Sequence, residues 1–276
     1  MKIDDGDVFE NEVEILIQEI NTKYGYNFNG YARASINRRI RRFMTNKNLS
    51  TINELKDFIF NDSAHFENFL QEITVNVTEM FRDPTFFLSL RKNVIPILST
   101  YPHIKIWDAG CSTGEELFSL AILLKEEGLL DRTKIYATDI NQKVLRQAKE
   151  GIYNAHNIAS YTSAYYAAGG KEEFSSYYRS NYGCLKFSSE LIRNVIFYPH
   201  NLASDFSFNE FHLIICRNVL IYFNKELQER VFKLFNESLV NLGYLGLGKK
   251  ETLALSALNS KFELTDKENR IYRKVY

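Results

Sequence analysis

The chain has no excess of charge: lysine and arginine together number 34 of its 276 residues, and so do aspartate and glutamate. A protein that binds nucleic acid over its whole surface usually carries a basic surplus to neutralise phosphates, so nucleic acid is not an expected partner. Cysteine is scarce. Cys111, Cys184 and Cys216 are odd in number, far apart and without metal-ligand spacing, and they read as reduced thiols; no metal is expected. No apolar run approaches the roughly 20 residues a bilayer-crossing helix needs. The chain begins with acids (Asp4, Asp5, Asp7, Glu10), the reverse of a signal peptide's basic start. These absences point to a cytoplasmic protein without direct membrane insertion. Internal repeats and low-complexity segments are also lacking.

What is present is ordinary for a soluble globular protein: 45% hydrophobic and 25% charged residues. The length suits one large domain, or a small domain joined to a medium one. To about Leu70 the pattern is helical. Val13, Leu16, Ile17 and Ile20 form one stripe, and Ile36, Ile40, Phe43 and Met44 form another within the segment from Ala32 to Met44. Arg38, Arg41 and Arg42 fall on the opposite face of that second helix. A third helix is expected from Ser50, with Ser50 or Thr51 as its cap.

From Ile104 strands and helices alternate, which argues for a mostly parallel sheet covered on both faces. Strands are expected at Ile104 to Trp107, Lys134 to Ala137, Val195 to Tyr198, Leu213 to Cys216, Tyr244 to Leu247 and Ile271 to Val275. Helices are expected from Glu115, over Asn141 to Lys149, and over Lys225 to Leu239. The last two strands lack a long helix between them and suggest an antiparallel hairpin at one edge. A tyrosine-rich stretch from Asn154 to Asn194 interrupts the rhythm and reads as an inserted helix plus a small antiparallel subdomain.

The strongest local signal is Trp107-Asp108-Ala109-Gly110-Cys111-Ser112-Thr113-Gly114-Glu115-Glu116. A strand ending in a small-residue turn and entering a helix lets a ligand approach the backbone near a positive helix end. The two carboxylates that follow would repel a phosphate and suit a cation, so the charge logic favours S-adenosylmethionine over a dinucleotide. The alternative is a plain strand-to-helix turn with two glutamates stabilising the helix dipole. Asp139, at the carboxyl end of the second strand, is placed to accept both hydroxyls of a ribose, or to cap the helix that follows. Arg217-Asn218 again lies at a strand's carboxyl end, followed by an apolar run in which Tyr222 is the polar exception. His200 reads as a structural hydrogen-bonding group, with catalysis the lesser alternative.

Taken in order, Thr74 to Arg82, Trp107 to Ala121, Ala137 to Ile140, Gly151 to Tyr153, His200 to Leu202, Cys216 to Phe223 and Gly243 to Gly248 resemble the CheR-type chemotaxis receptor methyltransferases. The resemblance runs from the early helices to the C-terminus. It implies a Rossmann-like class I S-adenosylmethionine-dependent methyltransferase domain, a small all-helical N-terminal domain and an inserted antiparallel β-subdomain. The implied boundaries are 1–73 for the helical receptor-docking domain, 74–92 for a linker contributing to the cofactor site, and 93–276 for the methyltransferase domain, with the insert at about 171–194. Asn76, Thr78 and Arg82 would reach over the cofactor, Glu116 would hold the methionine ammonium or nearby polar groups, and Asp139 the ribose. Gly110 belongs to the cofactor turn, Asn201 and Leu202 would flank the adenine, and Asn218 and Val219 would floor the site. Three departures stand out: Met80 where an aromatic is usual, Leu117 for a proline, and Gly248-Lys249-Lys250-Glu251 for a Gly-x-Ser-Glu ending.

The resemblance further implies methyl esterification of glutamate side chains on chemotaxis receptors, leaving S-adenosylhomocysteine as product. A glutamate is already ionised near neutral pH and needs no general base. The enzyme's task is then alignment and water exclusion. Arg82 is expected to orient the attacking carboxylate and Tyr222 to shape the transfer site. Arg38, Arg41 and Arg42 are either a solvated helix face or a docking surface for acidic receptor methylation helices; the tyrosine-rich insert could take up a receptor tail peptide by strand addition. Competing expectations are a methyltransferase acting on a small molecule or RNA, and a non-catalytic scaffold that binds the cofactor.

Overall fold

The computed structural model describes residues 5–74 and 78–275. The chain first forms α1 (Asp5–Tyr24), α2 (Arg33–Lys47), α3 (Ile52–Phe60) and α4 (Ser63–Ile73). Both expected apolar stripes are buried, and they meet Leu55, Ile59, Phe66, Phe69 and Leu70 in one helical core. Of the two cap candidates Thr51 is the one used: its side chain accepts the Glu54 N–H, while the Glu54 carboxylate accepts the Ser50 N–H at 2.7 Å. This reciprocal pair satisfies two helix-end donors at once. Two late segments, Asn201–Asp205 and Tyr222–Val231, group with these helices as one compact unit.

The second unit is built on a seven-stranded sheet. Its parts in chain order are α5 (Pro84–Ser89), a π-helical turn (Leu90–Val94), α6 (Ile95–Leu98), β1 (Ile104–Ala109), α7 (Glu115–Glu126), β2 (Thr133–Asp139) and α8 (Gln142–Glu150). The insert follows with β3 (Ile152–Asn154), α9 (Ile158–Ala167), β4 (Tyr178–Asn181) and β5 (Cys184–Phe187). The chain then completes the sheet with β6 (Val195–Pro199), β7 (Phe211–Cys216), α10 (Lys225–Ser238), β8 (Leu239–Leu247), β9 (Phe262–Asp266) and β10 (Ile271–Lys274). The strand order is β6-β2-β1-β7-β8-β10-β9. β6, β2, β1, β7 and β8 pair in parallel, whereas β10 runs antiparallel to both β8 and β9.

The central strands are apolar because both faces are covered. β1 places Ile104, Ile106 and Trp107 in the core, and α7 buries Leu117, Phe118, Leu120 and Leu124. Trp107 is fully buried among Phe208, Phe211 and Phe235, and its indole N–H donates to Thr138 Oγ1 at 2.8 Å.

Three elements differ from the sequence reading. The edge hairpin is β9–β10, with β8 as the inner neighbour; β9 was not foreseen because its sequence, FELTD, is polar and largely exposed. The small sheet has the order β3-β5-β4, so one of its three strands lies before the expected 171–194 insert. The segment expected as a linker is, from the described Thr78 onward, part of the sheet unit. Thr85 Oγ1 donates to Asn269 Oδ1 at 2.7 Å and Ser89 Oγ to Asp266 Oδ2 at 2.5 Å, fastening α5 to the edge hairpin.

Trp107→Ala should lower the unfolding free energy by about 3–5 kcal/mol, the cost of emptying a large aromatic site in a close-packed core. Urea unfolding checks this; a loss under about 1 kcal/mol would mean the site collapses around the change.

Candidate functional site

The carboxyl ends of β1, β2 and β7 converge, as ligand sites in open α/β sheets require. The turn after β1 alternates left-handed residues, with Gly110 at φ 83°, Ser112 at 51° and Gly114 at 94°. Gly110 and Cys111 donate their N–H groups to the Thr138 carbonyl at 2.8 and 2.9 Å, and Ser112 N–H donates to Asp139 Oδ2 at 3.0 Å. Neighbouring side chains explain both glycines. A Cβ on Gly110 would lie 2.6 Å from Val219 Cγ2, and one on Gly114 would lie 2.8 Å from Ala148 Cβ. The sequence reading had credited such small residues to close approach of a ligand; here protein packing already demands them.

Asp139 also accepts the Asn141 N–H at 2.9 Å, while Asn141 is the residue that caps α8. Asp139 keeps some solvent access, but the protein packed around it pushes its carboxyl up to about 6 against the pull of three backbone N–H groups. Asp108 is fully buried, and its Oδ2 has no hydrogen-bond partner among the described residues. Burial raises its carboxyl well above the usual range, with Glu116 and Asp139 adding to the rise. Of the two glutamates after the turn, Glu115 accepts from Thr113 Oγ1 at 2.6 Å and is pushed up to about 7 by burial. Glu116 is ion-paired with Arg217. The acidic turn therefore presents less net negative charge than its sequence suggests.

The sequence alone assigns no role to Arg217. Its side chain is 1% exposed. One terminal nitrogen binds Glu116; the other donates to Asp83 Oδ2 at 2.7 Å and to the Arg82 carbonyl at 3.0 Å. Lys249 reaches Asp83 Oδ1 at 3.2 Å from the far side. Arg82 is flanked by two left-handed residues, Phe81 at φ 51° and Asp83 at φ 55°. The buried Phe81 donates its N–H to Ser119 Oγ at 2.8 Å.

Asn218, at φ 61°, and Val219 form the loop after β7. The buried Glu251 receives this loop: its carboxylate accepts the N–H groups of Gly248 at 2.6 Å, Asn218 at 3.1 Å, Val219 at 2.9 Å and Leu220 at 2.8 Å. The departure noted at Gly248 to Glu251 leaves this acceptor in place. Met80 and Leu117, the other departures, are simply buried.

The remaining expected site residues are distributed as follows. Thr78 is half-buried in the sheet unit, and Asn76 lies outside the described residues. Asn201 and Leu202 belong to a segment grouped with the helical unit. Asn201 Oδ1 accepts the Ala203 N–H, and its buried Nδ2 has no partner among the described residues. Tyr222 also groups with the helices, where Arg39 places its guanidinium 5.1 Å from the ring centroid. The sequence does not single out Arg39, because the ring it packs on is distant along the chain. Arg38, Arg41 and Arg42 are exposed, and Arg41 lies 3.6 Å over the Phe9 ring.

The donor set at the strand ends fits a cationic adenosyl sulfonium. Carboxylates dominate at the ends of β1 and β2, one buried carboxyl oxygen, on Asp108 of β1, has no partner among the described residues, and Arg217 and Lys249 are each already bound to Asp83. A five-stranded parallel core with an antiparallel final pair and this acidic edge defines the class: an S-adenosylmethionine-dependent methyltransferase. Comparison with protein families then gives the particular group. A model described as the CheR methyltransferase SAM-binding domain matches residues 76–271, and one described as the CheR all-alpha domain matches residues 11–74. The chain belongs to the CheR methyltransferase family. It is 49% identical to the putative methyltransferase Cher3 of Pseudomonas putida, over 95% of this chain and 96% of that protein. It is 29% identical to a chemotaxis protein methyltransferase of Listeria monocytogenes (84% and 88% covered) and 34% identical to chemotaxis protein methyltransferase 1 of Vibrio cholerae (70% and 70%).

Glu115 has a measurable consequence. Its carboxyl rises from an ordinary 4.5 to about 7 on folding, so the folded state holds the proton more tightly. The stability this contributes is complete below the unfolded value and is lost as pH rises through 7. Glu115→Gln should therefore flatten the fall in urea midpoint between pH 5 and pH 8. An unchanged slope would show that Glu115 does not carry it.

Proposed function

We propose that this methyltransferase esterifies glutamate side chains on the cytoplasmic methylation helices of chemotaxis receptors. The observation that carries the reading is the match to both family domains in order, on a chain whose helical unit exposes Arg38, Arg41 and Arg42 along α2. Relatives named as chemotaxis protein methyltransferases support it.

S-adenosylmethionine, when bound, supplies a methyl group activated by its sulfonium. The residues of this chain then have to hold, align and dry the reactants. Glu116 and Asp139 are the groups proposed to hold the ammonium and the ribose; Asn201 and Leu202 flank the adenine, and Asn218 and Val219 form the floor with Gly110. Asn76, Thr78 and Arg82 close over the cofactor from the segment before α5. A receptor glutamate arrives as a carboxylate, so no base is needed to generate the nucleophile. Arg82 orients that carboxylate through charge-assisted hydrogen bonds, and Tyr222 shapes the space in which transfer occurs. Alignment and exclusion of water supply the rate gain.

The exposed arginines match an acidic helix by charge, an attraction that speeds encounter and weakens as salt rises. A receptor tail peptide would add a strand to the small sheet, where β3 and β4 each pair on one side only among the described residues.

Labelled methyl from S-adenosylmethionine should appear on receptor-bearing membranes and be released as methanol in mild base. Arg38→Glu with Arg41→Glu should slow that labelling and reduce its salt dependence. If cofactor binds and no receptor is labelled, the substrate assignment fails while the class stands, and a scaffold or another substrate takes its place. Full labelling by the reversed variant would remove the docking role of α2.

A further inference from the structure

Arg82 is asked to orient the substrate, and the residues on both sides of it hold an unfavourable backbone conformation. Phe81 and Asp83 on either side are non-glycine residues at φ 51° and 55°. Such residues persist in the left-handed region only where their surroundings hold them there. On one side the hold is plain: Phe81 is buried, and its N–H is fixed to Ser119 Oγ on α7. On the other side it comes from Arg217. We propose that Arg217 is the positioning residue of the methyl-transfer site, setting the segment that carries Arg82 and the rotamer of Glu116 without touching substrate.

The side chain is suited to this by its shape. β7, a central strand, ends at Cys216 and projects Arg217 from the rigid part of the sheet. Its guanidinium lies 4.2 Å from the Phe86 ring centroid, which fixes the plane of the fork. One nitrogen then serves both the Arg82 carbonyl and Asp83 Oδ2, while the other serves Glu116 Oε2. Three partners thus converge on one planar group from two elements, the turn before α5 and the first turn of α7. A lysine would keep the charge and could not hold both sides at once. Phe86 in turn sits where a Cβ on Gly246 of β8 would lie 2.7 Å from its ring, so the platform is itself anchored to the sheet. Asp83 is fixed a second time by Lys249, and Arg217 adds a side-chain link from this turn to α7 beside the Phe81 N–H bond to Ser119.

This inference rests on the proposed role of Arg82, and the test separates the two. Arg217→Lys should lower kcat for receptor methylation by about tenfold or more in protein that remains folded. In the Arg82→Ala background, with S-adenosylmethionine saturating so that any effect through Glu116 on cofactor affinity is removed, the same change should cost kcat almost nothing, because two residues that act through one contact are non-additive. Losses that multiply, or an unchanged kcat, would overturn the proposal. Asp83→Asn supplies a second route if Arg217→Lys does not fold: it should give a smaller loss that also vanishes in the Arg82→Ala background. Amide hydrogen exchange reads the positioning without any substrate. Faster exchange at Phe81 in Arg217→Lys, with the core strands still protected, is the expected result, and equal protection there would contradict it. If the unaltered enzyme labels no receptor, the functional reading fails, while exchange still decides the role of Arg217.

Discussion

The carboxylate of Glu251 receives four backbone N–H groups, and the shape of the carboxyl edge of the sheet follows from that contact. Three of the donors belong to consecutive residues, Asn218 to Leu220, which turn the chain sharply after β7. Charge-assisted bonds to backbone N–H groups are among the stronger hydrogen bonds, and leaving such donors buried without a partner costs about 1–3 kcal/mol each. With the loop held in this way, Val219 is pressed onto Gly110 and the turn after β1 is fixed from above. Arg217, one residue earlier, is launched toward α7 and the segment before α5. Gly110, Val219, Glu116 and Arg82 are therefore placed by a single loop and the acid that binds it.

That arrangement concentrates ionisable groups where water is scarce. Asp108, Glu115, Glu116 and Asp139 crowd the ends of two strands, and burial pushes three of them above their ordinary range. A protein selected only for stability would fill such a region with apolar side chains, since uncompensated buried charge is costly. At the site proposed here, the cation of S-adenosylmethionine would supply the missing compensation. Perturbed carboxyls gathered at a sheet's carboxyl edge are what a binding site for that chemistry looks like.

Much of this was legible from residue order. The helical stripes, the alternation of strands with helices and the acidic turn follow from periodicity and from small residues flanked by carboxylates, which are local signals. What was not legible is nonlocal. Glu251 reads as one acid in a polar loop, and its importance arises only when β8 brings that loop beside the end of β7. Arg217 looked like the neighbour of a more interesting asparagine, because burial and three-way pairing leave no mark on sequence. The hairpin strand β9 is polar and exposed, so no hydrophobic pattern announces it. The glycines carry a second requirement that the sequence does not show: Val219 and Ala148, distant in sequence, already exclude a Cβ there.

The proposed cofactor floor keeps its shape because Glu251 holds the loop after β7. The most direct test is calorimetric titration of S-adenosylmethionine into Glu251→Gln and into the unaltered protein. The amide keeps one acceptor oxygen and turns the other into a donor facing N–H groups, so the loop should lose its hold while the sheet stays folded. The account predicts affinity weaker by roughly tenfold or more, equivalent to losing about 1.4 kcal/mol of binding. Equal affinity in a folded Glu251→Gln protein would contradict it.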